Sequence, residues 1–190
     1  MAAIDRLTAE HRVIEQMVAL LERLAGRLGR DGDLPAQLLV ELVDLVAQYS
    51  DKLHHAKEEQ RLFQIVIERG VEAEGGAVST LLRHHETGRS YLQDLRGELH
   101  RLRQGDRNAV AGCALVAGQY ATLMRNHIRL EDEQVFPLVA RAMSEEEDRA
   151  LVAYYAEFDA SHHAADLRAR FARLLDRSAE LEAPRALGSA

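Results

Sequence analysis

The sequence has no tryptophan, one cysteine, three prolines and no long uncharged apolar run. Each scarcity excludes something. With Cys113 alone, no internal disulfide can form and no cysteine pair is present to hold zinc or an iron–sulfur cluster, which suits a reducing compartment. No stretch of about 18 uncharged apolar residues is there to cross a bilayer. The opening MAAIDRLTAEHRV also lacks the apolar centre of a secretory signal, so a cytoplasmic location without a membrane partner is expected. Basic residues are outnumbered by acidic ones, 24 to 31, giving a formal net charge of -7, and the arginines are dispersed. A phosphate backbone needs a basic surface, so nucleic acid is not an expected partner. Strand is disfavoured by the shortage of β-branched residues, whereas Ala, Leu, Glu and Arg lose little freedom in a helix. What is present is therefore an all-α chain of 190 residues, 47% hydrophobic, enough for one well-buried domain.

Glycines and charged turns divide the chain into five helical segments. The first, about 8–28, repeats His11, Ile14, Val18, Leu21, Ala25 and Leu28 at alternating spacings of three and four, a stripe that faces a core. The second opens at Asp33, with Pro35 in its first turn, and runs to about Arg69, long enough to bend. The third covers about 77–103 and the fourth about 107–142, where Pro137 removes a backbone donor and predicts a kink near Glu133. Ser144 followed by Glu147 is a capping-box signature for a fifth helix reaching about Asp176. Short turns between long helices favour antiparallel neighbours. The expected architecture is an up-down-up-down four-helix bundle over 1–142, an additional C-terminal helix over 143–177 packed on it, and a flexible tail over 178–190.

The chain holds nine histidines and nineteen glutamates, for which chance predicts roughly one His with Glu four residues later. Four such pairs occur: His11 with Glu15, His54 with Glu58, His55 with Glu59 and His127 with Glu131. That spacing puts both side chains on one helix face, where a metal can take an imidazole nitrogen and a carboxylate oxygen, although charged helices favour it too. The helical wheel discriminates. His54 and Glu58 share a line with Val43, Ala47, Ser50 and Ile65 and point inward; His55 and Glu59 share one with Asp44, Gln48 and Asp51 and point outward or toward the edge of a site. His85 lies on the Val78–Leu81–Leu92–Leu95 seam with Gly88 beside it, which favours it over His84. His11 and His127 with Glu131 lie on the inner stripes of their own helices. Each bundle helix thus supplies one inward histidine and two add a carboxylate. Burying six such groups costs several kcal/mol unless they are paired or bound to metal. Imidazole and carboxylate without thiolate suit iron, manganese or zinc, as one ion or a pair. Tyr120 shares the face of His127, while His162 and His163 read as an exposed pair beyond the bundle and His100 as surface.

Three stretches carry a resemblance: HHAKEEQRLF at 54–63, HETGR at 85–89 and HIRLEDEQVFP at 127–137, joined by His11 in AEHRVIE. Over about residues 5–142 the chain resembles the hemerythrin-like, or HHE cation-binding, family. The resemblance implies a four-helix bundle around a non-haem di-iron centre, with His11, His54, His85 and His127 as ligands and Glu58 and Glu131 bridging. Oxygen-carrying members have a further histidine one turn from the third-helix ligand and an aspartate in the last motif. Here Leu81, Arg89 and Glu131 occupy those places, which points toward members linked to nitric oxide, iron or oxidative stress. The function implied is binding or sensing of oxygen, nitric oxide, peroxide or iron, with no protein partner identified. The alternatives are an enzyme processing peroxide or nitric oxide, and ferritin-like iron oxidation, which wants Glu-x-x-His on two helices and finds only Asp51 with His54 and Asp159 with His162.

Overall fold

A computed structural model of the chain describes residues 1–30, 34–70 and 76–179. Among the described residues there are helices and no strand: α1 (Ala2–Arg27), α2 (residues 34–68), α3 (Ala77–Arg103), α4 (residues 109–142), α5 (Glu145–Ser161) and α6 (Ala164–Ala179). The ring of neighbours is α1–α2–α3–α4 and back to α1. Gly29 and Gly105, both at positive φ, end α1 and α3 in the left-handed conformation that only glycine adopts cheaply. Helix α1 starts earlier than its stripe suggested. The carboxylate of Asp148, in α5, accepts from the backbone N–H groups of Ala2 and Ala3 at 3.1 and 3.0 Å, satisfying donors that the first turn leaves orphaned. Asp33 lies outside the described residues; Pro35 occupies the first turn of α2 as expected.

Two apolar clusters fill the bundle, one at each end, and the order in which each helix meets them fixes the topology. Helix α1 passes from Ala3 and Leu7 in the first cluster to Ile14, Met17 and Leu21 in the second. Helix α2 runs back from Leu38, Leu42 and Leu53 to Leu62, Phe63 and Val66. Helix α3 repeats the direction of α1, from Val78 and Leu81 to Leu92, Leu95 and Leu99, and α4 that of α2, from Cys113 and Met124 to Val135 and Val139. This is an up-down-up-down bundle with an additional C-terminal part. Between the clusters, each of the four bundle helices crosses one buried polar layer.

The capping box at Ser144 is formed, with Ser144 and Glu147 exchanging hydrogen bonds. The fifth segment, however, is two helices. His163 sits at φ 52, a left-handed turn that ends α5 and redirects α6. Helix α5 packs on α1 and α6 on α2, burying Leu167, Phe171 and Leu174 against the larger cluster. Of the tail expected over 178–190, Ser178 and Ala179 close α6 and the rest lies outside the described residues. No described helix is long and apolar enough to cross a membrane.

Candidate metal centre

The polar layer owes its composition to three wide turns. Residues Ala47–His55 and Glu58–Leu62 of α2 and Glu131–Val135 of α4 wind as π-helix, with i→i+5 hydrogen bonds. Pro137 has no N–H to give the carbonyl of Glu133, inside the third of these, so the expected kink takes the form of a widened turn. A wide turn carries one residue more than an α-turn, which rotates everything after it. His55 therefore stands over Ser50, five residues back, with Nε2 3.5 Å from the Ser50 hydroxyl, while its Nδ1 stays 3.9 Å from Asp51 Oδ1. Both members of His54–His55 enter the interior, at 0% and 3% exposure. The outward placement of His55 expected from an unbroken wheel of about 3.6 residues per turn is thereby corrected.

The donors form two groups, His55, Glu58, His85 and His127 in one, His11, His54, Glu58 and Glu131 in the other, each with ligand atoms within 4.8 Å of one another and each able to hold a metal ion. Glu58 belongs to both. Its two oxygens face opposite ways, Oε1 lying 3.3 Å from His54 Nε2 and Oε2 3.6 Å from His85 Nε2. Glu131 Oε2 lies 3.0 Å from His11 Nε2 and 3.2 Å from His127 Nε2, so it also touches both groups. None of these contacts is aligned as a hydrogen bond. The Nε2 atoms of His11, His54, His85 and His127 and all four oxygens of Glu58 and Glu131 are buried without a hydrogen-bond partner. So many orphaned donors and acceptors, aimed into one layer, suit a cation site and are what a hydrogen-bonded core excludes.

Three of the five rings are fixed from behind through Nδ1. Asp132 holds His11 at 2.8 Å, Glu10 holds His54 at 2.9 Å and Glu59 holds His85 at 2.7 Å. Each carboxylate is braced in turn: Asp132 by Arg12, Glu59 by Arg89 at 2.6 Å, and Glu10 by Lys57. A carboxylate on Nδ1 sets the tautomer that leaves Nε2 bare for a metal. Phe136 stacks on His11 at 5.2 Å and Phe63 on His85 at 5.9 Å, closing the layer on its smaller-cluster side.

Charge in the layer is unevenly held. Burial raises Glu58 well above the usual carboxylate range, and the charge of Glu131 adds to the effect. Burial acts on Glu131 in the same sense, yet His127 and His11 beside it hold it low. Burial pushes His54 down to about 4 and holds His55 well below its ordinary value, with His85 and His127 adding their repulsion there. His11 is the exception: burial would lower it, but the hydrogen bond to Asp132 and the carboxylate of Glu131 hold it up to about 9.

All six residues expected as ligands meet in this layer, and His85 rather than His84 enters it. His84 is half-exposed, its ring 5.9 Å from that of His127. Glu59 takes the supporting place at the site's edge. His162 and His163 are exposed and belong to neither donor group, His162 stacked on Phe158 at 3.9 Å. Tyr120 is buried, its ring 3.6 Å from where a Cβ on Gly88 would sit and its hydroxyl bonded to Ser50, which neighbours His55. Sequence reasoning missed His55, Glu10 and the fully buried Lys57. The signal for Glu10 and Lys57 was available only across helices, since each is unremarkable within its own.

Comparison with known proteins agrees with this geometry. A family model described as the hemerythrin HHE cation binding domain matches residues 2–139. Uncharacterised proteins of Mycobacterium bovis and of two strains of Mycobacterium tuberculosis are each 24% identical over 180 residues, covering 95% of this chain and 69% of theirs. No solved structure matches significantly.

Proposed function

The chain belongs to the hemerythrin HHE cation-binding family, and from that premise we propose that it is a non-haem di-iron protein that binds or senses a small ligand (oxygen, nitric oxide or peroxide) or iron itself. The observation that carries this reading is the inequality of two donor groups joined by shared carboxylates. One group has three imidazoles and the other two. His55 supplies the fifth imidazole that Leu81 and Arg89 do not. With Glu58 and Glu131 reaching both groups, the His11–His54 position has one protein donor fewer, leaving room there for an outside ligand. Iron, when bound, supplies Lewis acidity and a one-electron redox change; zinc or manganese accept the same donors without being the preferred occupant. The protein's own part is to hold the rings, through Asp132, Glu10 and Glu59, and to exclude water. The donors are between 0% and 3% exposed, so only a small ligand can enter.

One observation favours a second reading, an enzyme acting on peroxide or nitric oxide. The hydroxyl of Tyr155, from α5, is buried without a partner, and Glu58 is the foremost charge acting on it. Burial keeps that phenol protonated, so it can donate a hydrogen bond to a bound ligand.

The test is metal analysis of protein grown with iron, followed by optical spectra and turnover assays with oxygen, nitric oxide and hydrogen peroxide. About two irons per chain are expected, with most lost in His54→Ala and Glu131→Ala. Stoichiometric spectral change without turnover supports binding, and steady turnover supports the enzyme. Full iron retention in both variants would refute the site.

A further inference from the structure

The domain matched by the family ends at residue 139, whereas a chain of buried charges connects the metal layer to Asp159, twenty residues beyond it. Glu10 divides its carboxylate between two partners. Oε2 accepts from His54 Nδ1 at 2.9 Å and Oε1 accepts from Lys57 Nζ. Lys57 also donates to Asp159 Oδ1 at 2.9 Å, and Arg6 donates to Asp159 Oδ2 at 2.6 Å. Lys57 is 0% exposed, Glu10 4% and Asp159 8%. The Lys57 ammonium also lies 5.4 Å from the centre of the Tyr155 ring, one turn before Asp159 on the same helix.

A buried ammonium needs more than one carboxylate to offset its lost hydration. Lys57 draws one from each side of the α1–α5 contact, and the second of these decides what the first can do. With Asp159 present, Lys57 is shared and Glu10 keeps one oxygen for His54. With Asp159 neutral, Lys57 leans wholly on Glu10 and competes with the His54 ring for it. The ring then loses the acceptor that fixes its plane and raises the basicity of Nε2.

We propose that helix α5 is a working part of the metal centre, with Asp159 a positioning residue that acts on the ligand His54 through Lys57 and Glu10. The inference rests on the di-iron reading. It has a site-selective consequence, because His85 is positioned from elsewhere, by Glu59 and Arg89. Asp159→Asn removes the charge and keeps the shape. Support of this indirect kind is worth about 10–100-fold in metal affinity.

The experiment is chelator competition on the full chain, resolving two binding steps, for wild type, Asp159→Asn, Asp159→Glu, Glu59→Gln and Leu151→Ala. Asp159→Asn is expected to weaken one step by about 10–100-fold and leave the other; Glu59→Gln weakens the other, and Asp159→Glu recovers the first. Leu151→Ala, a packing change in α5, controls for loosening of the helix and leaves both steps in place. The proposal is overturned if Asp159→Asn leaves both steps unchanged or weakens both equally, or if Leu151→Ala weakens the same single step. If the wild type takes up no ion at all, the di-iron reading falls by itself. The linkage is then decided in the metal-free protein by the ring ¹⁵N shifts of His54, which move in Asp159→Asn if Asp159 acts on the ring and stay fixed if it does not.

Discussion

The assignment of His55 separates an unbroken helical wheel from the wide turn that the chain forms, and His55→Ala measures the difference. Free energies of about 10–16 kcal/mol for a structural zinc in small peptides, shared over four donors, set a scale of about 3 kcal/mol per donor. That is roughly a hundredfold in affinity. At fixed free metal, a hundredfold loss removes about 2.7 kcal/mol of metal-linked stabilisation. For a domain of this length that lowers the midpoint of the metal-loaded protein by about 5–10 °C. The metal-free protein responds less, because two effects oppose. The ring stacked on His85 at 3.9 Å is lost and leaves a void, while a buried Nδ1 without a partner is removed. The assay is thermal unfolding with and without saturating iron, beside metal content, with His84→Ala as the neighbouring control. His84→Ala should keep both ions and the full metal-linked gain. If His55→Ala does the same, the assignment of His55 to the donor set is wrong.

Further outcomes follow from the same layer and its supports. Metal uptake should release protons, since ligating nitrogens and oxygens must be bare, and His11, raised to about 9, holds a proton in the metal-free state while burial favours the protonated form of Glu58. Affinity therefore rises with pH toward about 9. The sign for the metal-free fold is opposite: His11 is raised from 6.5, so its pairing with Glu131 and Asp132 stabilises fully below that value and fades as pH climbs through about 9. Titration calorimetry in buffers of different ionisation heat checks the release, and a buffer-independent heat contradicts it. Leu42→Ala, fully buried in the larger cluster, should cost about 2–5 kcal/mol in chemical denaturation while iron per chain stays the same. Ser144→Ala breaks the reciprocal cap of α5 and should cost about 1 kcal/mol, read as a lower denaturation midpoint with an unchanged slope.

What could be read in advance was whatever depends on spacing within one regular helix. The limits of α3, the choice of His85 over His84, the inward faces of His11 and His127, and the cap at Ser144 are of this kind. His55 was not, because the wheel assumes a constant turn and α2 widens at residues 47–55, where nothing in AQYSDKLHH announces it. The break at His163 escaped for a similar reason: a non-glycine residue takes a left-handed conformation, with no glycine or proline to mark it. Lys57 and Glu10 lie 47 residues apart and identify each other only once α1 and α2 are side by side. Their charges look like solvent-facing ones until the helices meet. The early start of α1 belongs with these, since the acceptor of its first N–H groups is Asp148, 145 residues from Ala3.

The layered core has a mechanical corollary. Two greasy blocks are separated by a slab of groups that, without ions, repel or leave one another unsatisfied, so the slab is the seam along which the bundle parts most easily. Each block can then breathe on its own, and amide exchange should sort into two sets with separate opening energies. Cation binding there would clamp the four helices at mid-height and tie the blocks into a single cooperative unit. Occupancy of the centre would thereby reach both ends of the bundle as stiffness, without any helix having to change its course.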